Sequence, residues 1–139
     1  MKNTLRITAS LLLVAVMLFC VVSCAEKVDA TGLWEDAKYL SDTTLGEGEN
    51  TVKVLVVCED QSITFTIKTD KDNLGDALYE HELINDPSFF DVCNGMKADW
   101  DKDNAYWAFY IDDELAMYGV NDESIPSDAE REYKIAYTK

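Results

Sequence analysis

Residues 51–68 read TVKVLVVCEDQSITFTIK, and this stretch decides the class of fold. Residues 51–58 are dense in β-branched side chains, which suits a strand buried along most of its length. Glu59, Asp60 and Gln61 make a polar turn. Residues 62–68 then alternate, so that Ile63, Phe65 and Ile67 share one face. The two runs predict a hairpin.

Working outward, Asp72 or Asn73 can cap a helix in which Leu74, Ala77, Leu78 and His81 recur at helical spacing. Leu83 and Ile84 close its apolar end, and Asn85 and Pro87 stop it. Residues 89–93 read as a strand, Asn94-Gly95 as a turn and residues 96–99 as a short return. Residues 106–111 form a second strong strand, which Asp112-Asp113 turns into residues 114–118. Residues 132–138 close the chain, with Tyr133, Ile135 and Tyr137 on one face. One helix crossing an otherwise β chain predicts an α+β fold, a mostly antiparallel or mixed sheet of about five strands covered by one helix. Upstream, residues 41–50 read as a loop. Residues 32–40 carry Leu33, Trp34, Tyr39 and Leu40, more apolar surface than a free linker needs, and are expected to dock.

The start of the chain is an address. Lys2 and Arg6 precede the apolar run 11–22, which is short for a membrane span and fits a secretory signal. It ends in Val21-Val22-Ser23-Cys24, which resembles a lipobox, with Cys24 as the lipidated residue. Cys20 fits less well, because Phe19 is bulky where a small residue belongs. The expected organisation is a signal peptide over 1–23, a tether over 24–31 and a domain over 32–139, lipid-anchored to the outer face of a bacterial membrane.

The chain has 139 residues, with 27 acidic and 12 basic, and a formal net charge of -15. Removing residues 1–23 takes Lys2 and Arg6 and no acidic residue, so the charge deepens to -17. Such a charge excludes nucleic acid as partner. Cys58 and Cys93 remain in the mature chain as a candidate disulfide, but strand alternation also allows Cys58 to be a buried free thiol beside Val52, Val54 and Val56.

Several segments resemble the transcobalamin C-terminal-like domain, a bacterial family of unknown function. Residues 69–78 (TDKDNLGDAL) are similar to its T-D-x-x-T-L-G-x-A-L segment, residues 94–99 (NGMKAD) to N-G-I-x-A-D, and residues 105–111 (AYWAFYI) to A-Y-W-x-F-Y-x. Tyr118-Gly119-Val120, the closing residues 133–138 and the arm 33–37 extend the likeness. The resemblance implies a β-grasp-like fold. It also implies a cobalamin-related small ligand met by Tyr106 and Trp107, since animal relatives use this domain to cap cobalamin. Two turns depart from the pattern: Asp112-Asp113 replaces Asn-Gly, and Asp128-Ala129 replaces a Gly-containing turn.

Asp99, Asp101 and Asp103 alternate in a loop and could converge on calcium or another divalent cation. Asn104 and Tyr110 stand where an EF-hand needs glycine and glutamate, so the pattern is not that loop. Clusters 112–114 and 121–123 read as polar turns, and His81 as a half-buried packing residue. No G-x-S-x-G elbow, P-loop lysine or Cys/His pair at recognisable spacing is present. The expectation is a non-catalytic binding or interaction module with no required cofactor. Its surplus aromatics are Trp34, Trp100, Trp107 and Tyr118, its ligand is a protein or small molecule, and cation binding is the alternative.

Overall fold

The computed structural model describes residues 27–126 and 131–139. The signal segment, Cys20, Cys24 and the Asp128-Ala129 turn lie outside the described residues. The hairpin forms as its pattern predicts: β2 (Asn50–Cys58) pairs antiparallel with β3 (Gln61–Thr69), in register from Asn50↔Thr69 to Cys58↔Gln61. The remaining strands are β1 (Thr43–Leu45), β4 (Val92–Cys93), β5 (Met96–Lys97), β6 (Tyr106–Ile111), β7 (Glu114–Leu115) and β8 (Tyr133–Thr138). The main sheet has six strands in the order β1-β3-β2-β8-β6-β7, and β4-β5 form a separate pair. β8 lies parallel to β2 and antiparallel to β6, while β1 lies parallel to β3, so the sheet is mixed.

The sixth strand is β1, which sequence reading assigned to a loop. Its three residues are an edge segment too short to show alternation. Helix α1 (Leu74–Glu80) covers the face that carries Val54, Val56, Ile63, Phe65, Ile67 and Ile135. Asn73 caps α1 through its side chain, which accepts from Asp76 N at 2.8 Å. The helix stops before its predicted end. Glu82 takes φ 56, and Leu83 N donates to Leu78 O at 3.0 Å, closing a Schellman-type cap. Glu80 and Glu82 put negative charge at the negative end of the helix dipole, which disfavours further turns. Leu83 and Ile84 are buried all the same.

Two other strands are shorter than predicted. Residues 89–91 are not strand, because Asp86 Oδ1 accepts from Ser88 N (2.7 Å) and Phe89 N (3.1 Å) and Asn85 Oδ1 accepts from Asp91 N and Val92 N. These local side-chain bonds outcompete a ladder. Residues 116–118 leave β7 after Ala116 N donates to Phe109 O at 2.9 Å. Between β6 and β7, Asp112 and Asp113 take φ 52 and 64, the left-handed pair a tight hairpin demands. Aspartate tolerates that region better than most residues, so the departure from Asn-Gly keeps the turn.

The arm docks, as its composition predicts. The turn Gly32–Asp36 buries Trp34 fully, and Trp34 Nε1 donates to Cys58 O at 3.0 Å. Buried Asn94 clamps the arm's other end: its Nδ2 donates to Tyr39 O (2.9 Å) and its Oδ1 accepts from Tyr39 N (3.0 Å). The expected tether is bonded too, since Lys27 bridges Ser41 and Asp29 exchanges hydrogen bonds with the Gln61 amide. Among the described residues, the buried hydrophobic ones run from Trp34 to Ile135, and a chain beginning at residue 24 keeps them all. We expect Trp34→Ala to cost about 3–5 kcal/mol in urea unfolding of that chain. An unchanged midpoint would mean that the arm is not part of the cooperative core.

Candidate functional site

The start of α1 gathers one end of the molecule. Leu74 N donates to Glu123 O at 2.9 Å, Ile125 N donates to Asp72 O at 2.9 Å, and Asn73 bridges Ser124. Gly75 makes the close approach possible. A Cβ there would stand 2.9 Å from both Asn121 Cα and Pro87 O. The loop around Pro87 and the loop before Glu123 therefore meet over the first turn of the helix.

Glu123 is the pin of this arrangement, only 2 % exposed. Its carboxylate accepts from Tyr118 Oη at 2.6 Å, Tyr133 Oη at 2.9 Å and Arg131 Nη1 at 3.0 Å. The Tyr118 hydroxyl and then the Glu123 charge raise the Arg131 pKa further, so the guanidinium stays charged beside it. Sequence reading placed Glu123 in a polar turn. The run Asn121-Asp122-Glu123 gives no sign of burial, and only the convergence of two tyrosines and an arginine from distant positions reveals it.

The two loops present Phe89 (82 % exposed) and, from residues 115–118, Leu115, Met117 (95 %) and Tyr118. Gly119 lies within 3.8 Å of Ser88 O when given a Cβ, so the backbones that carry Phe89 and Tyr118 are neighbours. The segments 85–92 and 112–122 hold Asp86, Asp91, Asp112, Asp113, Glu114 and Asp122 and no Lys, Arg or His. These exposed apolar side chains make up the tip; six carboxylates share its two segments, and Glu123 holds it through Tyr118. Sequence reading singled out Tyr118 but not Phe89, Leu115 or Met117; a Phe-Phe pair within a Pro/Ser/Asp segment was the available signal.

The predicted site residues lie elsewhere. Asp99 caps the short helix α2 (Trp100–Asp103), accepting from Lys102 N at 3.1 Å, whereas the sequence predicted a loop here. Asp101 and Asp103 are exposed, and among the described residues no group of three His, Cys, Asp or Glu is arranged to hold a metal. Trp107 faces the core, its Nε1 bonded to Asp91 O (3.1 Å) and Met96 O (3.2 Å). Trp34 is likewise core rather than surplus surface. Tyr106 is exposed and meets exposed Trp100 edge to face at 6.2 Å.

Cys58 and Cys93 are free and buried rather than joined. Burial, with Glu59 adding to it, pushes Cys58 up to about 12 from the ordinary 9.0. Burial, and then the nearby Cys58, pushes Cys93 up as well. His81 is half-buried, as expected, with its Nε2 lodged against Gly46 and 3.8 Å from the Glu80 carboxylate. An open depression of about 920 Å³ crosses the uncovered sheet face over Thr51, Lys53, Leu55 and Thr64. Its charges are of both signs, and Lys134 within it already pairs with Asp113 at 3.4 Å.

No protein-family profile matches the chain. No curated protein matches it either. A solved structure from Ruminococcus gnavus, described as a "putative metal binding protein", aligns with a TM-score of 0.57 and 18 % identity, covering 66 % of this chain and 98 % of that one. At this identity the likeness concerns the fold: an α+β arrangement with a mixed sheet and few helices.

Two outcomes test the site's chemistry. Glu123→Ala removes the carboxylate to which Tyr118, Tyr133 and Arg131 all donate, and we expect a loss of about 2–4 kcal/mol by chemical denaturation; a neutral result would dismiss Glu123 as the pin. The buried thiols should resist iodoacetamide in the native chain and react once it unfolds. Unfolded thiols ionise near their ordinary pKa while folded ones stay protonated, so stability should fall as pH rises from 9.0 toward about 12. Cys58→Ala/Cys93→Ala should flatten that decline.

Proposed function

We propose that the chain is a non-catalytic binding module of β-grasp topology, exported and held at the outer face of a bacterial membrane by a lipid on Cys24, that engages a partner through the apolar tip. The observation that carries the binding reading is the exposure of Phe89, Met117 and Tyr118 from two adjoining loops and of Leu115 at the end of β7. Large apolar side chains grouped on a surface mark a contact site. The β-grasp reading draws support from the hairpin, the crossing helix, and a last strand that returns parallel to β2 between β2 and β6. The likeness to the transcobalamin C-terminal-like domain agrees with it. The non-catalytic reading draws support from the seclusion of the usual reactive groups: Cys58 and Cys93 are buried, and His81 Nε2 packs against Gly46. A cobalamin-related ligand would have to meet Tyr106 and Trp100, since Trp107 is turned inward.

In the lipoprotein on intact cells, a photo-crosslinking residue at Met117 should give discrete adducts that the same residue at exposed Asp60 does not. Equal or absent adducts would overturn the tip as a docking surface. Cys24→Ala should release the protein from the membrane fraction; retention there would overturn the anchor.

Divalent-cation binding is the second reading, favoured by the description of the Ruminococcus gnavus neighbour. Its candidates are Asp99, Asp101 and Asp103, though Asp99 already serves as a helix cap. Calorimetric titration with calcium should give heat that Asp101→Ala and Asp103→Ala abolish. No heat at roughly millimolar calcium, the weak end for extracellular sites, would end this reading.

A further inference from the structure

The tip's surroundings select its occupant. Resting on the reading of the tip as a docking surface, we infer that it receives a protein segment that inserts an apolar side chain among Phe89, Met117 and Tyr118 and surrounds it with lysine or arginine. The apolar centre comes from those side chains. The selection comes from the rim. Six carboxylates lie in segments 85–92 and 112–122, and the cation that touches the tip, Arg131 on Tyr118 Oη at 3.3 Å, is matched by the Glu123 carboxylate at 3.0 Å. Two receive partial neutralisation from other elements, Asp91 from Lys97 at 3.9 Å and Asp113 from Lys134 at 3.4 Å. Asp86 and Asp112 spend an oxygen each on backbone N–H groups, of Ser88 and Glu132, which orders these carboxylates without cancelling their charge. Glu114 and Asp122 are exposed. A cationic surround on the partner would meet this rim with complementary potential, and an acidic or lipid-headgroup surround would be repelled.

The arm's position argues against lipid as the occupant. Lys27 bridges Ser41, next to β1, and Asp29 is bonded to Gln61 at the start of β3. A lipid on Cys24 would sit three residues from Lys27, within about 10 Å of chain. β1 and β7 are the two edges of the sheet, five strand spacings or roughly 24 Å apart. The tip follows β7, so it lies at the edge away from the anchor.

The test uses the chain from residue 24 onward with Cys24→Ser, titrated with a short amphipathic Leu/Lys peptide and followed by amide chemical shifts and calorimetry. We expect saturable binding with shifts confined to residues 85–92 and 112–122. Met117→Ser, or Phe89→Ser if a second variant is needed, should weaken it at least about tenfold; both side chains are exposed, so neither change touches the core. A Leu/Glu peptide of the same spacing should bind at least about tenfold more weakly, and added salt should weaken the Leu/Lys peptide. Equal binding of the Leu/Glu peptide overturns the charge selection and leaves the docking surface standing. Equal binding of a Ser/Lys peptide, insensitive to Met117→Ser, overturns the apolar centre. Tighter binding to phosphatidylserine vesicles than to the peptide overturns the protein occupant. No binding by any probe overturns the inference, while the Met117 adducts decide the docking surface separately.

Discussion

Removing the Glu123 carboxylate from water is unfavourable by several kcal/mol unless its oxygens regain hydrogen bonds and an opposite charge. It regains both, from Tyr118, Tyr133 and Arg131. The requirement has structural consequences. Tyr118 belongs to the loop after β7, Tyr133 begins β8, and Arg131 precedes it. The backbone carbonyl of Glu123 also holds the first turn of α1. A single side chain thus ties the helix start, the exposed tip and the strand inserted at the centre of the sheet. Loops that carry large exposed apolar side chains tend to collapse or fray. Here the backbone beneath them has little freedom, because any large shift would strand a buried charge.

At the other end the same problem is solved by neutral groups. The arm 32–40 has no ladder partner for the backbone of Tyr39, and Asn94 supplies one, its amide acting as a short strand edge that donates and accepts at once. Asn94 can do this because it occupies a left-handed turn position, φ 52, from which its side chain reaches back toward the arm. Trp34 then closes over the end of β2. With the arm in place, Cys58 and Cys93 are left in an apolar interior, where a thiolate is disfavoured and the protonated thiol persists.

The hairpin 51–68 was legible because alternation and β-branching act locally and in the same direction. The docked arm was legible too, from apolar residues that a linker does not need. The errors fell where a short-range bond competed with periodicity. Asn85 and Asp86 removed residues 89–91 from a strand, and Glu82 ended α1 early. β1 was missed because an edge strand of three residues owes its existence to β3 rather than to its own pattern. The site was the least legible part. Asp99, Asp101 and Asp103 share a sequence spacing, but α2 sends that spacing around a helical turn instead of toward one point. Glu123 looked like its exposed neighbours because burial there depends on Tyr118, Arg131 and Tyr133, and no local pattern encodes that meeting.

The charge of the chain takes on a more specific meaning when it is divided by location. Much of it is spent locally: Asp76 on α1, Asp99 on α2, Asp42 on Thr64 N, and Asp112 on Glu132 N each hold a donor in place. These carboxylates serve turns and caps, the roles for which short acidic side chains are suited. Glu123 serves the interior. Around the tip, Glu114 and Asp122 stand exposed beside apolar side chains that are exposed as well. Charge beside an uncovered apolar group lowers the tendency of like molecules to associate, because two such tips repel. It leaves the same surface open to a partner of opposite charge. The acidity and the exposed apolar tip therefore act together, the charge opposing self-association through a surface that is uncovered.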